Sequence, residues 1–316
     1  MLAERTRGGR GAPAEAGGLA GVLAFPERLP APVGPEVLDG VRALLDEAAA
    51  EATVVGGWTD DDPLRLAKGP VGWLVRCPRR ALAAEAGGPP SDDLVLGLLV
   101  DAGTKLVALA ARRPVTVAGA LGYLAAQGDE VVAAHLDALD GASRRGVLDE
   151  ADARIARLED AWPEVPADWW PRVEEPVRVR LAGGTVTVTG RLDALIGGPP
   201  TGRPGVVVEV KGGRWYDGMR ADGHLYALLT GLRDGVAPAA VVTLVADGTA
   251  HVEPIRPALV THAAERLELA LRTAASLAAG EPADARPGAH CAHCPARPDC
   301  APGTTYLATH DDRPAP

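Results

Sequence analysis

The four cysteines constrain this chain most: Cys291, Cys294 and Cys300 fall in one C-x2-C-x5-C run near the C-terminus, and Cys77 lies more than two hundred residues upstream. Three thiols within ten residues can face one centre without a secondary-structure scaffold, and Pro295, Pro298 and Pro302 keep that loop from becoming helix. A fourth ligand must then come from the fold. If Cys77 supplies it, the cluster ties the start of the domain to its end and closes what lies between into one unit. Iron–sulfur clusters use such thiols. Zinc accepts the same Cys-rich geometry, with His290 and His293 inside the run as substitute ligands. Two disulfides would also use four cysteines. Residues 1–20 are mostly Gly, Ala, Arg and Glu, unlike an apolar signal sequence, so a reducing compartment is expected and disulfides are disfavoured. Spacing alone leaves iron–sulfur, zinc and unconnected thiols open.

The 316 residues, 47% of them hydrophobic, can bury a sizeable core, and with 3% aromatics that core must be Leu, Val and Ala. No apolar run approaches the roughly 20 residues of a membrane span, so a cytoplasmic protein with no membrane partner is expected. The net charge of −10 argues against a general polyanion binder, because phosphate neutralisation needs Lys and Arg in local excess. Any nucleic-acid contact must be a local patch.

Residues 1–34 are rich in Gly, Ala and Pro without sustained periodicity and read as a flexible leader. Pro35 opens a helical segment to about residue 52, Ser91-Asp92-Asp93 caps a second helix running to Arg112, and helical spacing continues over 128–161. The character then changes. Pro176 to Val188 alternates around Gly183-Gly184 as a β-hairpin leading into Gly190-Arg191-Leu192-Asp193. Val206–Val210 and Ala239–Ala246 read as strands, Ala221–Leu232 as a helix, and 257–279 as a long helix delivering the chain to the cysteine run. The domain is expected over 35–282, the cluster segment over 283–303 closing onto Cys77, and a flexible tail over 304–316.

In Val206-Val207-Val208-Glu209-Val210-Lys211-Gly212, alternate residues of a strand share a face, so Glu209 and Lys211 point the same way. Asp193 is expected beside them on the neighbouring strand. Two converging carboxylates can hold magnesium or manganese through oxygen, with the Val210 carbonyl as a further ligand. A lysine there can orient or deprotonate a metal-activated water while the ion stabilises charge on a phosphate under attack. The plain alternative is a solvated edge strand carrying an ion pair, but here the triplet ends an almost purely apolar strand, where a charged pair marks a functional sheet end.

The order Gly190-Arg191-Leu192-Asp193, then Val206 to Gly212, then Cys291-x2-Cys294-Pro295-x4-Cys300 resembles the PD-(D/E)xK nuclease superfamily. It is most similar to the RecB-like exonucleases with a C-terminal iron–sulfur cluster, including the AddB nuclease domain and CRISPR-adaptation exonucleases. The lone Cys77-Pro78-Arg79-Arg80 also fits, so the resemblance spans roughly residues 72–303. It implies an α/β fold with a mixed central sheet flanked by helices, a mostly helical N-terminal part and the C-terminal cysteine cluster. It further implies metal-dependent DNA cleavage by Asp193, Glu209 and Lys211, and a 4Fe–4S cluster on Cys77, Cys291, Cys294 and Cys300, with zinc the alternative. Two departures stand out. The family's Gly-x3-His context reads Gly97-Leu98-Leu99-Val100-Asp101 here, which makes Asp101 the candidate metal ligand and His135 its alternative. The family's Gln-Leu-x-x-Tyr pattern reads His224-Leu225-Tyr226, leaving both residues between substrate contact and core packing.

Arg76, Arg79 and Arg80 around the first cysteine, and Lys211, Arg214 and Arg220 after the catalytic strand, supply local positive charge, with Trp215 and Tyr216 available to stack on unpaired bases. Ordinary surface charge is the plainer reading of each. The function expected is a DNA exonuclease or endonuclease on single-stranded or unwound DNA in repair, CRISPR or phage defence. The alternatives are an inactive DNA-binding scaffold that keeps the fold and cluster, and a zinc-stabilised protein unrelated to nucleic acid. No G-x4-G-K-[ST] P-loop is present, so unwinding falls to a helicase or defence partner.

Overall fold

The computed structural model describes residues 18–83, 90–109, 114–213, 215 and 218–310. In chain order it runs α1 (Gly18–Ala24), α2 (Pro35–Gly56), β1 (Leu64–Ala67), α3 (Lys68–Arg76), α4 (Pro78–Leu82) and α5 (Asp92–Leu109). Next come α6 (Val117–Ala126), α7 (Val131–Ala138), α8 (Gly141–Ala161), β2 (Arg172–Leu181), β3 (Val186–Gly198) and β4 (Arg203–Lys211). The chain ends with α9 (Gly218–Asp234), β5 (Ala240–Val245), β6 (Ala250–Pro254), α10 (Pro257–Ala278) and α11 (Ala301–Thr309).

The strands form one six-stranded mixed sheet, as expected. β1–β3 and β4–β5 are parallel, whereas β2–β3, β3–β4 and β5–β6 are antiparallel. β4 shows how the sheet is buried on both sides: Val206, Val208 and Val210 join a core with α1, α5 and α8, while Val207 packs the opposite way against α2, α9 and α10. A third cluster, with Leu99, Leu136 and Ile155, binds α5 to α6, α7 and α8 as a helical layer beyond the sheet.

Part of the expected leader is helix α1, and residues 1–17 lie outside the described residues. Leu19, Val22 and Leu23 recur at helical spacing and bury themselves beside β6 and α8, and the Val33 carbonyl accepts from Ala237 N. The Gly- and Ala-rich composition hid this. Likewise the expected tail is helical to Thr309. The long helical stretch over 128–161 is broken at Asp140, whose carboxylate caps α8 by accepting from Ala142 N and Ser143 N at 2.8 and 3.0 Å. No helix among the described residues is long and apolar enough to cross a membrane.

Candidate active site

The sheet has a gap along one edge of β3. β1 pairs with Val186–Thr189 and β4 with Ala194–Gly198, so residues 190–193 between them lack a ladder partner on that side. β1 runs parallel to β3 and β4 runs against it, so the C-terminal ends of both strands meet at the gap. Continuing the Ala194↔Val208 register would set Asp193 opposite Glu209. The strands part there instead, and Asp193 Oδ2 accepts from Val210 N at 2.7 Å. A residue's N–H and C=O point to the same edge of a strand, so the Val210 carbonyl faces Asp193 as well.

Glu209 is 1% exposed on the α9 side of the sheet. Its Oε2 accepts from Lys211 Nζ at 3.0 Å and from Lys68 Nζ at 3.1 Å, while its Oε1 is buried without a hydrogen-bond partner among the described residues. From the opposite face α5 brings Asp101, which shares a small cleft with Asp193 and Val210. The close approach of α5 to the end of β4 depends on Gly212, where a Cβ would stand 2.9 Å from the Gly97 Cα. Burial, then Glu209 and Asp101, push the Asp193 carboxyl up to about 7, against the Val210 N–H and Lys211. Lys68 is half-buried, which works against its charge, but Glu209 and lesser acidic neighbours hold its pKa above the ordinary lysine value.

Asp101, Asp193, Glu209, Val210 and Lys211 are therefore brought together, with Asp101 additionally held by Lys105 at 2.7 Å. Lys105 also binds Glu174, which sits at φ +52°. His135 lies elsewhere, 2.7 Å from Asp92, about 13 Å along α5 from Asp101. His224 is buried with Nε2 2.9 Å from Glu253 Oε2, and Tyr226 is buried with its hydroxyl donating to the Arg191 carbonyl at 2.8 Å. Arg214 lies outside the described residues. Sequence reasoning missed Lys68, which follows directly on the four-residue strand β1.

The donors fit a hard divalent cation: carboxylate oxygens, a peptide carbonyl, one buried oxygen lacking a partner and a carboxyl that retains its proton unusually well. Among the described residues no three His, Cys, Asp or Glu side chains already form a metal-holding group. Lys68 and Lys211 neutralise Glu209 instead.

The cysteines are free thiols, three of them buried. Cys77 joins α3 to α4, and the C-terminal segment is pinned around it. Arg79 N donates to Asp284 O at 3.1 Å, Arg79 Nη2 to Asp299 O at 2.5 Å, and Arg286 Nη1 to Val75 O at 2.7 Å. A Cβ on Gly303 would stand 3.2 Å from Cys291 Sγ and 3.4 Å from Cys300 Sγ, so both sulfurs close on one glycine.

A mixed sheet flanked by helices, with Asp and Glu-x-Lys gathered where strand ends meet, defines a metal-dependent phosphodiester hydrolase of the restriction-endonuclease kind. The chain belongs to the PD-(D/E)XK nuclease superfamily, whose profile matches residues 73–301. No curated protein sequence matches it significantly. A solved structure described as "Crystal structure of SSO0001" aligns over 82% of this chain and 95% of its own, at 14% identity and a TM-score of 0.34.

Proposed function

We propose that this nuclease is a DNA exonuclease of the RecB-like type, acting on single-stranded or unwound DNA made available by a helicase or defence partner. The observation that carries the catalytic reading is the buried, unpartnered Oε1 of Glu209 beside Asp193. Asp193, Glu209 and the Val210 carbonyl would hold Mg2+ or Mn2+, with Asp101 adjoining them from α5. A bound ion supplies Lewis acidity towards a phosphate oxygen and acidifies water. Lys211, fixed through Glu209, orients the attacking water and meets the charge that develops on phosphate. The Val210 N–H keeps the Asp193 carboxylate from turning away. Manganese-dependent loss of a labelled single-stranded oligonucleotide is expected, slowed about 10²-fold or more in Lys211→Ala. DNA binding without cleavage by the wild type would select the scaffold reading instead.

In the same proposal Cys77, Cys291, Cys294 and Cys300 hold a 4Fe–4S cluster that closes segment 283–303 onto the nuclease domain. Its role is structural. Burial of three thiols, the approach of Cys291 and Cys300 to Gly303 and the pins around Cys77 support it. Protein purified without oxygen should be brown, with broad absorption around 400 nm, and Cys300→Ala should melt earlier. Colourless protein with stoichiometric zinc would replace the cluster by zinc.

A further inference from the structure

Besides the small cleft shared by Asp101 and Asp193, two openings lie near the end of β4, and their charges differ. The larger is a groove of about 690 Å³ beside Gly97 and Gly212, where Arg154 and Arg157 meet Asp93, Glu150 and Asp247. Both arginines are committed: Arg154 Nη1 donates to Gly212 O at 2.6 Å, Arg157 Nε to Ala246 O at 3.0 Å, and both reach Glu150. Three acids against two engaged arginines make poor company for a phosphate backbone.

The smaller opening, on the other side of Glu209, is lined by Lys68, Gly72, Asp222 and Arg266. Arg76 lies two turns beyond Lys68 on α3, its guanidinium 5.1 Å from the Trp73 ring. Among the described residues neither Arg76 nor Arg266 makes a hydrogen bond or ion pair, and both are half-buried. They stand close enough to repel: burial and then Arg76 hold Arg266 below its ordinary pKa. Lys68 in turn pairs with Glu209, whose oxygens a divalent ion would claim, and Asp222 is the one carboxylate among the residues lining this opening. Lys68, Arg76 and Arg266 set against the single carboxylate of Asp222 leave an excess of positive charge, which on a protein of net charge −10 calls for an anion. The backbone agrees, because a Cβ on Gly69 or Gly72 would meet nothing within 4 Å. Packing inside the chain asks for no glycine there, so α3 keeps an open face beside its cations.

We infer that this face of α3, from Lys68 past Gly72 to Arg76 with Arg266 of α10 beside it, is the path by which a single nucleic-acid strand runs between the catalytic carboxylates and the cysteine segment. The inference rests on the nuclease reading and adds the substrate's direction of approach. Lys68 grips the phosphate next to the one attacked, and Arg266 and Arg76 take those that follow. Arg79 contributes to the closure of the cysteine segment, not to this path.

The test is binding of fluorescent oligo(dT) to full-length Lys211→Ala protein in Ca2+, titrated over a series of salt concentrations. Adding Arg76→Gln and Arg266→Gln together should weaken binding about 25-fold at about 0.1 M salt and flatten the log K against log[salt] slope by about 1.4, at roughly 0.7 for each phosphate no longer neutralised. The double Arg→Lys variant should retain the slope. Gly72→Leu, which fills the path without changing charge, should weaken binding while melting normally, and Arg272→Gln farther along α10 should bind as the parent does. Unchanged affinity and slope in the double Gln variant, alongside manganese-dependent cleavage by wild type, would overturn the path and leave the nuclease reading standing. If the wild type neither binds nor cleaves DNA, both fall together.

Discussion

Asp193→Asn is expected to make the metal-free protein more stable at pH 8 while removing its cleavage activity. Asp193 is recessed between Glu209 and Asp101, and its carboxyl titrates near 7 against 3.8 ordinarily. The folded state thus binds this proton more tightly than the unfolded state does. The associated stability is fully present below about pH 4, is lost as pH rises towards 7, and stays lost above it. The full shift corresponds to about 4 kcal/mol at 1.36 per pH unit, and because the repulsion is shared with neighbouring acids, about 2–4 kcal/mol is the expected gain. Asparagine removes the charge but keeps an oxygen to accept from Val210 N. Melting Asp193→Asn beside wild type should therefore show a gain of several degrees at pH 8 that shrinks towards pH 4. Mn2+ should stabilise wild type at pH 8 and leave the variant nearly unmoved, because binding to the folded state alone is what raises the melting point. Cleavage should drop by about 10³-fold or more, the loss of charge stabilisation at the phosphate being the largest single term. A variant that melts lower than wild type at pH 8 without metal would sink the account of a site strained in the absence of its ion.

Much of this site was legible because it rests on period-two alternation. Apolar residues on both faces of Val206–Val210 announce a buried strand, and two charges at its end can only share a face. Asp193 followed from a hairpin whose turn, Gly183-Gly184, is plain in the sequence. Lys68 was not legible, since it meets Glu209 across 141 residues from a four-residue strand too short to show a period. His224, Tyr226 and Arg79 illustrate a different limit. Residue type says that a polar ring or a guanidinium can meet a substrate, but the contacts with Glu253, the Arg191 carbonyl and the Asp299 carbonyl decide what each meets within the fold. The order of α1 was hidden for a similar reason, because three apolar residues among glycines and alanines signal a helix only once β6 and α8 are there to cover them.

Gly190→Ala is expected to cost about 2–3 kcal/mol by overpacking, and most of that cost should disappear when Tyr226 is shortened to Leu. A Cβ at position 190 would overlap Tyr226 Cε1 and stand 3.2 Å from Val177 Cγ1. The backbone at Gly190 is not left-handed, so the conflict is steric, and the usual benefit of alanine in the unfolded state, about 0.4–1 kcal/mol, works the other way and is overcome. The ring has no easy retreat. Tyr226 is 3% exposed, its hydroxyl donates to the Arg191 carbonyl in the gap along one edge of β3, and Lys68 Nζ rests 4.6 Å from the ring centroid. Moving the ring therefore takes this hydrogen bond from the Arg191 carbonyl and removes the platform that carries Lys68 over Glu209. A double-mutant cycle by denaturant unfolding should give a coupling of about 1 kcal/mol or more between the two positions, whereas simple additivity would show that the ring is not the obstacle. Because the displaced ring carries Lys68, Gly190→Ala should also weaken oligonucleotide binding at temperatures well below its melting point, which loss of stability alone would not do.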